Sequence, residues 1–228
     1  MQIENLSELT EALLGAREEK YRDFSSSLIP NIPKERVLGV RLPVLRKVAR
    51  SLTAEAREQF LNKLPHLYLE EYHLHSFLIS DIKDISLCIG EVDRFLPYVD
   101  NWAVCDSLRP SCFKGASVEL LPVIDGWLSS SHPYAVRFGI EMLMLHFLDR
   151  SFDPSIIGRV AAVRSDNYYV NMMVAWFFAE ALTKRWDESI SYLKQRRLSP
   201  WIHGRCISKC IDSRRISLEQ KELLRGIK

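Results

Sequence analysis

Apolar residues recur along this chain with the three-to-four-residue step of an α-helix, and alternation of period two never persists beyond a few positions. Leu6, Leu9, Leu13 and Leu14 mark a first helix. Pro43 sits in the first turn of a second, where its missing N–H costs nothing. Ser51-Leu52-Thr53 reads as the cap that opens a third. Further helical stretches are predicted at 69–80, 83–96, 101–108 and 115–129, and another at 133–147 opened by Pro133. Asp153-Pro154 opens the next, and Asn167 caps a strongly apolar helix that runs to Lys184. The last three fall near 186–195, 200–212 and 217–226.

About a dozen short helices on short links predict an all-α fold, an α-solenoid of degenerate helix pairs with a concave groove. No clean repeat motif is visible, so any repeat is degenerate. No long Pro/Gly/Ser linker divides the 228 residues, and residues 1–228 are expected to form one domain.

Composition adds exclusions. The chain is 47% hydrophobic and 26% charged, which is ordinary for a globular protein. Its longest apolar run, Val170 to Ala179, is too short to span a bilayer, so no membrane partner is expected. The segment from Met1 to Leu6 lacks the basic and apolar regions of a secretory signal. The cysteines Cys88, Cys105, Cys112, Cys206 and Cys210 show no CxxC and no zinc-finger spacing. Together these features predict free thiols and a cytoplasmic location. No metal is expected: His73 and His75 point to different helix faces and have no acidic or Cys partner at ligand spacing.

The net charge of +2 does not announce nucleic-acid binding, but its distribution is uneven. Residues 194–228 hold ten Lys/Arg against three acids, a net +7, and seven more cations lie between Lys34 and Arg57. Basic ends around a more acidic middle can track phosphates, and they can equally be solvated helix faces.

Candidate chemistry centres on Asp100-Asn101-Trp102-Ala103-Val104-Cys105-Asp106. Residues four apart share a helical face, so Trp102 and Asp106 stand one above the other. An indole face attracts positive charge, and a carboxylate stabilises it as it develops. The plain alternative is a core Trp and a surface Asp. Three more patterns accompany this pair. Gly39-Val40-Arg41-Leu42-Pro43-Val44-Leu45-Arg46-Lys47 combines a turn, a helix start and cations. His132-Pro133-Tyr134-Ala135-Val136-Arg137-Phe138 puts Arg137 in the second turn of a helix, with Glu141 four residues on. In Tyr168-Tyr169-Val170-Asn171-Met172-Met173-Val174-Ala175-Trp176, periodicity alone assigns Trp176 to the core beside Phe177 and Phe178.

This set, in this order and spacing, resembles the bacterial DNA alkylation repair family of the AlkD type, over essentially the whole chain. The resemblance implies a single-domain stack of HEAT-like repeats and a monomeric, cofactor-free DNA glycosylase. Its partner would be double-stranded DNA containing purines alkylated at N3 or N7. It implies that Trp102 and Trp176 line the lesion's deoxyribose, that Asp106 faces the anomeric carbon, and that Arg137 holds a backbone phosphate. Arg41, Arg46, Lys47, Lys209 and Arg214 are the further DNA-binding candidates. An alkylated purine already carries positive charge, so a preorganised carboxylate contributing roughly 3–4 kcal/mol can suffice. One departure is Asn171-Met172-Met173, where family glycosylases often carry Lys or Arg. Two other classes remain open: a non-catalytic protein of this fold that binds distorted or branched DNA, and a protein-binding scaffold.

Overall fold

The computed structural model describes residues 2–115 and 118–228, the side chain of Val118 excepted. Among these residues the fold is all-α, with fourteen α-helices and no strand. The chain divides into two compact units, Met1–Lys114 and Gly115–Lys228. No helix of the described residues is long and apolar enough to cross a membrane. The five cysteines are free thiols.

The first unit holds α1 (Leu6–Gly15), α2 (Glu19–Leu28), α3 (Leu42–Ser51), α4 (Ala54–Asn62), α5 (Leu69–Ser80), α6 (Ile85–Phe95) and the one-turn α7 (Trp102–Cys105). Here α1 packs on α3, α3 on α5 and α5 on α7, while α4 and α6 pack against α5. Each helix touches near neighbours in sequence, as in a solenoid. Its core joins Leu9, Leu13, Leu45, Phe60, Leu74 and Phe77. Ile3 is pinned to it by an isolated bridge to Leu52, with its N–H on the Ser51 carbonyl at 2.8 Å. Helix α5 is buried on every side from Leu69 to Ile79, so it shows no amphipathic stripe.

The second unit holds α8 (Leu121–Leu128), α9 (Pro133–His146), α10 (Ser155–Ala161), α11 (Tyr168–Lys184), α12 (Trp186–Lys194), α13 (Pro200–Asp212) and α14 (Leu218–Gly226). Helices α9, α11 and α13 form a row, and α8, α10, α12 and α14 pack against its members. The caps are those the sequence signals. Thr53 accepts from the Ala56 N–H at 3.2 Å, and Asn167 accepts from Tyr169 and Val170 at 2.9 and 3.3 Å. Ser217 and Gln220 close a capping box on α14.

Three elements differ from the sequence expectation. Helix α2 was not anticipated: it buries no residue, and its short apolar stripe of Tyr21, Phe24 and Leu28 lines a cleft instead of joining the core. The stretch predicted at 101–108 is helical only over Trp102–Cys105, with Asp106 as its C-cap and Pro110 shortly beyond. In the stretch predicted at 115–129, residues 116 and 117 lie outside the described residues; a 3-10 turn at Val118–Leu120 leads into α8.

Candidate active site

Helix α7 is fixed by its cap. Asn101 is buried, and its Oδ1 accepts the Val104 N–H at 3.0 Å while its Nδ2 donates to the Asp100 carboxylate at 2.9 Å. Asp100 is itself paired with Arg36 at 3.2 Å. On this base, the Asp106 N–H reaches the Trp102 carbonyl at 2.9 Å, a helical i,i+4 bond. The two side chains therefore keep the one-above-the-other relation that their spacing predicts, although the helix is a single turn. Both are partly exposed.

Trp102 and Asp106 line the same cleft in the first unit, a space of about 240 Å³. Its other walls come from Tyr21 and Phe24 of α2, Val40 of the Gly39 turn, and Glu70 and His73 of α5. The Trp102 indole N–H donates to the carbonyl of Leu28 at the end of α2, at 3.2 Å. His73 Nδ1 lies 3.0 Å from the Ser107 hydroxyl, and Ser107 also lines the cleft. Burial, helped by the charge of Arg46, lowers the His73 pKa to about 4, so its ring is neutral near pH 7. His75 turns the other way, onto His66 at 2.8 Å, in keeping with the expectation that the two rings leave different helix faces.

The turn behind the cleft depends on Glu70, which sequence reasoning missed. Its carboxylate accepts the backbone N–H groups of Leu38, Gly39 and Val40 at 3.0, 2.7 and 3.2 Å. Gly39 has φ +86°, and a Cβ there would meet the Glu18 carbonyl at 2.4 Å. In sequence, an acid in the first turn of a helix reads only as a partner for the helix dipole.

Two cations beyond this turn, Arg41 and Arg46, are engaged. Arg41 makes a two-point bond to Glu18 at 2.8 and 2.9 Å and lies 4.7 Å from the Tyr21 ring centroid. That hydrogen bond holds the Glu18 carboxyl below its usual range. The Arg46 guanidinium sits 4.0 Å over the Phe77 ring, and Lys47 is exposed.

In the second unit, Trp176 is 37% exposed, which overturns its assignment to the core by periodicity. Its neighbours Phe177 and Phe178 carry the buried face of α11 instead. Lys209 of α13 lies 5.8 Å from the indole centroid, and both line a recess of about 300 Å³ with Glu180 and Arg215. Arg215 donates to Glu180 at 2.9 Å, and this bond lowers the Glu180 pKa. Arg214 is exposed. Arg137 is only 4% exposed, and its Nη1 donates to the Tyr169 carbonyl at 2.8 Å. It thereby ties α9 to α11.

Set beside known proteins, residues 6–209 match the model of a family described as DNA alkylation repair enzyme. No curated protein matches the chain.

Proposed function

The chain belongs to the DNA alkylation repair enzyme family, and from that premise we propose that it is a DNA glycosylase. It hydrolyses the N-glycosidic bond of purines made cationic by alkylation at N3 or N7, as a monomer without a cofactor. The observation that carries this reading is the cleft shared by Trp102 and Asp106, which line the same space of about 240 Å³. That volume lies below the roughly 300–1,000 Å³ of sites that enclose a drug-sized ligand. It suits the edge of a sugar better than a fully extruded nucleotide.

The chemistry follows from charge. As the glycosidic bond lengthens, its electron pair leaves with the purine and cancels the lesion's positive charge. The sugar becomes oxocarbenium-like, and the Asp106 carboxylate opposes that charge while the Trp102 ring packs against the sugar. A water oxygen then bonds to the anomeric carbon, and Asp106 orients it and draws its proton. No acid is required for departure, because the leaving purine departs neutral.

The experiment is release of 7-methylguanine or 3-methyladenine from methylated duplex DNA under single-turnover conditions. Release above the buffer rate is expected. Binding to DNA without release would leave the non-catalytic reading in its place.

A further inference from the structure

The exposed aromatic side chains of the second unit gather on one surface. Among its described residues, the aromatic rings counted as exposed are Tyr168, Trp176 and Trp201, at 54%, 37% and 39% exposure. Tyr168 and Trp176 lie on α11, and Trp201 lies in the first turn of the adjacent α13. The Tyr168 and Trp201 rings meet edge to face at 5.5 Å between centroids. Tyr169 continues the group at 5.3 Å from Tyr168. Trp201, Arg205 and Lys209 step four residues at a time along one face of α13. The Arg205 guanidinium lies 5.4 Å from the Trp201 centroid, and Lys209 lies 5.8 Å from that of Trp176. The cations of the two ring-and-cation couples thus stand four residues apart on α13, about 6 Å at 1.5 Å per residue.

We propose that this α11–α13 face is a stacking strip for unpaired nucleotides of a DNA strand. The choice of DNA rests on the glycosylase reading and on charge. Residues 194–228, which include α13, carry a net +7. Of the acids beside the strip, Glu180 is neutralised by Arg215, and Asp212 stands at the far end. The choice of unpaired nucleotides rests on ring geometry. Inside a duplex each base face is covered by its neighbours, so away from the duplex ends an exposed ring ledge can stack only on a base released from the helix. Arg205 and Lys209 supply cations where the sugar-phosphate chain passes. A strip of this kind would hold a frayed or locally opened strand.

The test is fluorescence anisotropy of full-length protein with a labelled single-stranded oligothymidylate and with an undamaged blunt duplex of the same length. Tyr168→Ala and Trp201→Ala remove exposed rings, and thermal melts check that the fold is kept. Each variant is expected to bind the single strand roughly 5- to 150-fold more weakly while its duplex affinity stays within about twofold of the original. Arg205→Gln is expected to lower the single-strand salt slope by about 0.7. A single-strand loss below fivefold in both ring variants, or an equal loss on the duplex, overturns the proposal. Release of methylated purine by the original protein and by Asp106→Asn is read separately. If the original protein released none, the glycosylase reading would go, and the strip would stand or fall on the anisotropy alone; persistence of release in the variant would remove only Asp106 from the chemistry.

Discussion

The indole N–H of Trp102 donates to the backbone carbonyl of Leu28 across 3.2 Å. That carbonyl is one of the acceptors left without an intrahelical partner at the end of α2. The bond joins the ring in the cleft to a helix that buries no residue of its own. Trp102 therefore both faces the proposed sugar site and fastens its wall. Trp102→Phe keeps an aromatic face and removes the donor. It is expected to fold normally and to release 7-methylguanine about 3- to 10-fold more slowly, the worth of one net hydrogen bond. Trp102→Ala should be slower still. A Phe variant as fast as the original would show that the bond does not hold the ring.

Asp106→Asn separates charge from shape. The substitution is isosteric, and the backbone N–H that reaches the Trp102 carbonyl is untouched, so the C-cap of α7 persists. Loss of a preorganised charge at a developing cation is expected to slow purine release by roughly 100-fold or more. DNA affinity, measured in the same preparation, should change little. Release at the original rate would take the carboxylate out of the chemistry.

The Gly39 turn is the most constrained backbone near the cleft. Its φ of +86° strains any L side chain, and an added Cβ would sit 2.4 Å from the Glu18 carbonyl and 2.7 Å from the Arg22 nitrogen. Both obstacles are backbone atoms of α2 and its approach, so no side chain can rotate away. Gly39→Ala is expected to cost more than the roughly 1–2 kcal/mol of left-handed backbone alone. Glu70→Gln brings an NH₂ group toward three N–H donors and should cost about 1–3 kcal/mol. Urea midpoints at unchanged slope measure both. A native midpoint for Gly39→Ala would mean that the turn relaxes.

What the sequence revealed follows from which signals are local. Thr53, Asn167 and Pro43 mark helix starts because caps act within one turn, and α4, α11 and α3 begin where they indicate. The Trp102–Asp106 relation was legible for the same reason. Periodicity alone could not place Trp176, because α11 is apolar almost all round, with Val174, Ala175, Phe177 and Phe178 all buried beside it. A helix of that kind has no readable phase. Helix α2 was missed for a different reason: its apolar stripe is only Tyr21, Phe24 and Leu28 among polar residues, and it faces a cleft. Glu70 and the Arg41–Glu18 pair are long-range, with partners 30 or more residues and 23 residues away, and no local pattern encodes them.

Acid should weaken the first unit through its buried histidines. His66 Nε2 and His75 Nδ1 lie 2.8 Å apart, with His66 stacked on Phe60 at 4.5 Å and His75 on Phe95 at 4.3 Å. Burial lowers the His66 pKa to about 4, and burial with the charges of His66 and Arg94 lowers that of His75 to about 2. His73 is likewise lowered to about 4. In the unfolded chain these rings titrate near 6.5. Above that pH both states are neutral and the full stability is present. As the pH falls below it, the unfolded chain takes up protons that the folded unit refuses, so stability is lost progressively toward pH 4. The slope approaches about 1.4 kcal/mol per pH unit for each ring. Urea midpoints at pH 7.5 and 5 should therefore differ, with the lower value at pH 5. A double variant, His66→Phe with His75→Leu, should reduce the difference to what His73 and His146, also lowered by burial, still contribute. Equal midpoints for the original protein would mean that these rings accept protons without unfolding, for which their apolar stacking on Phe60 and Phe95 leaves no compensating charge.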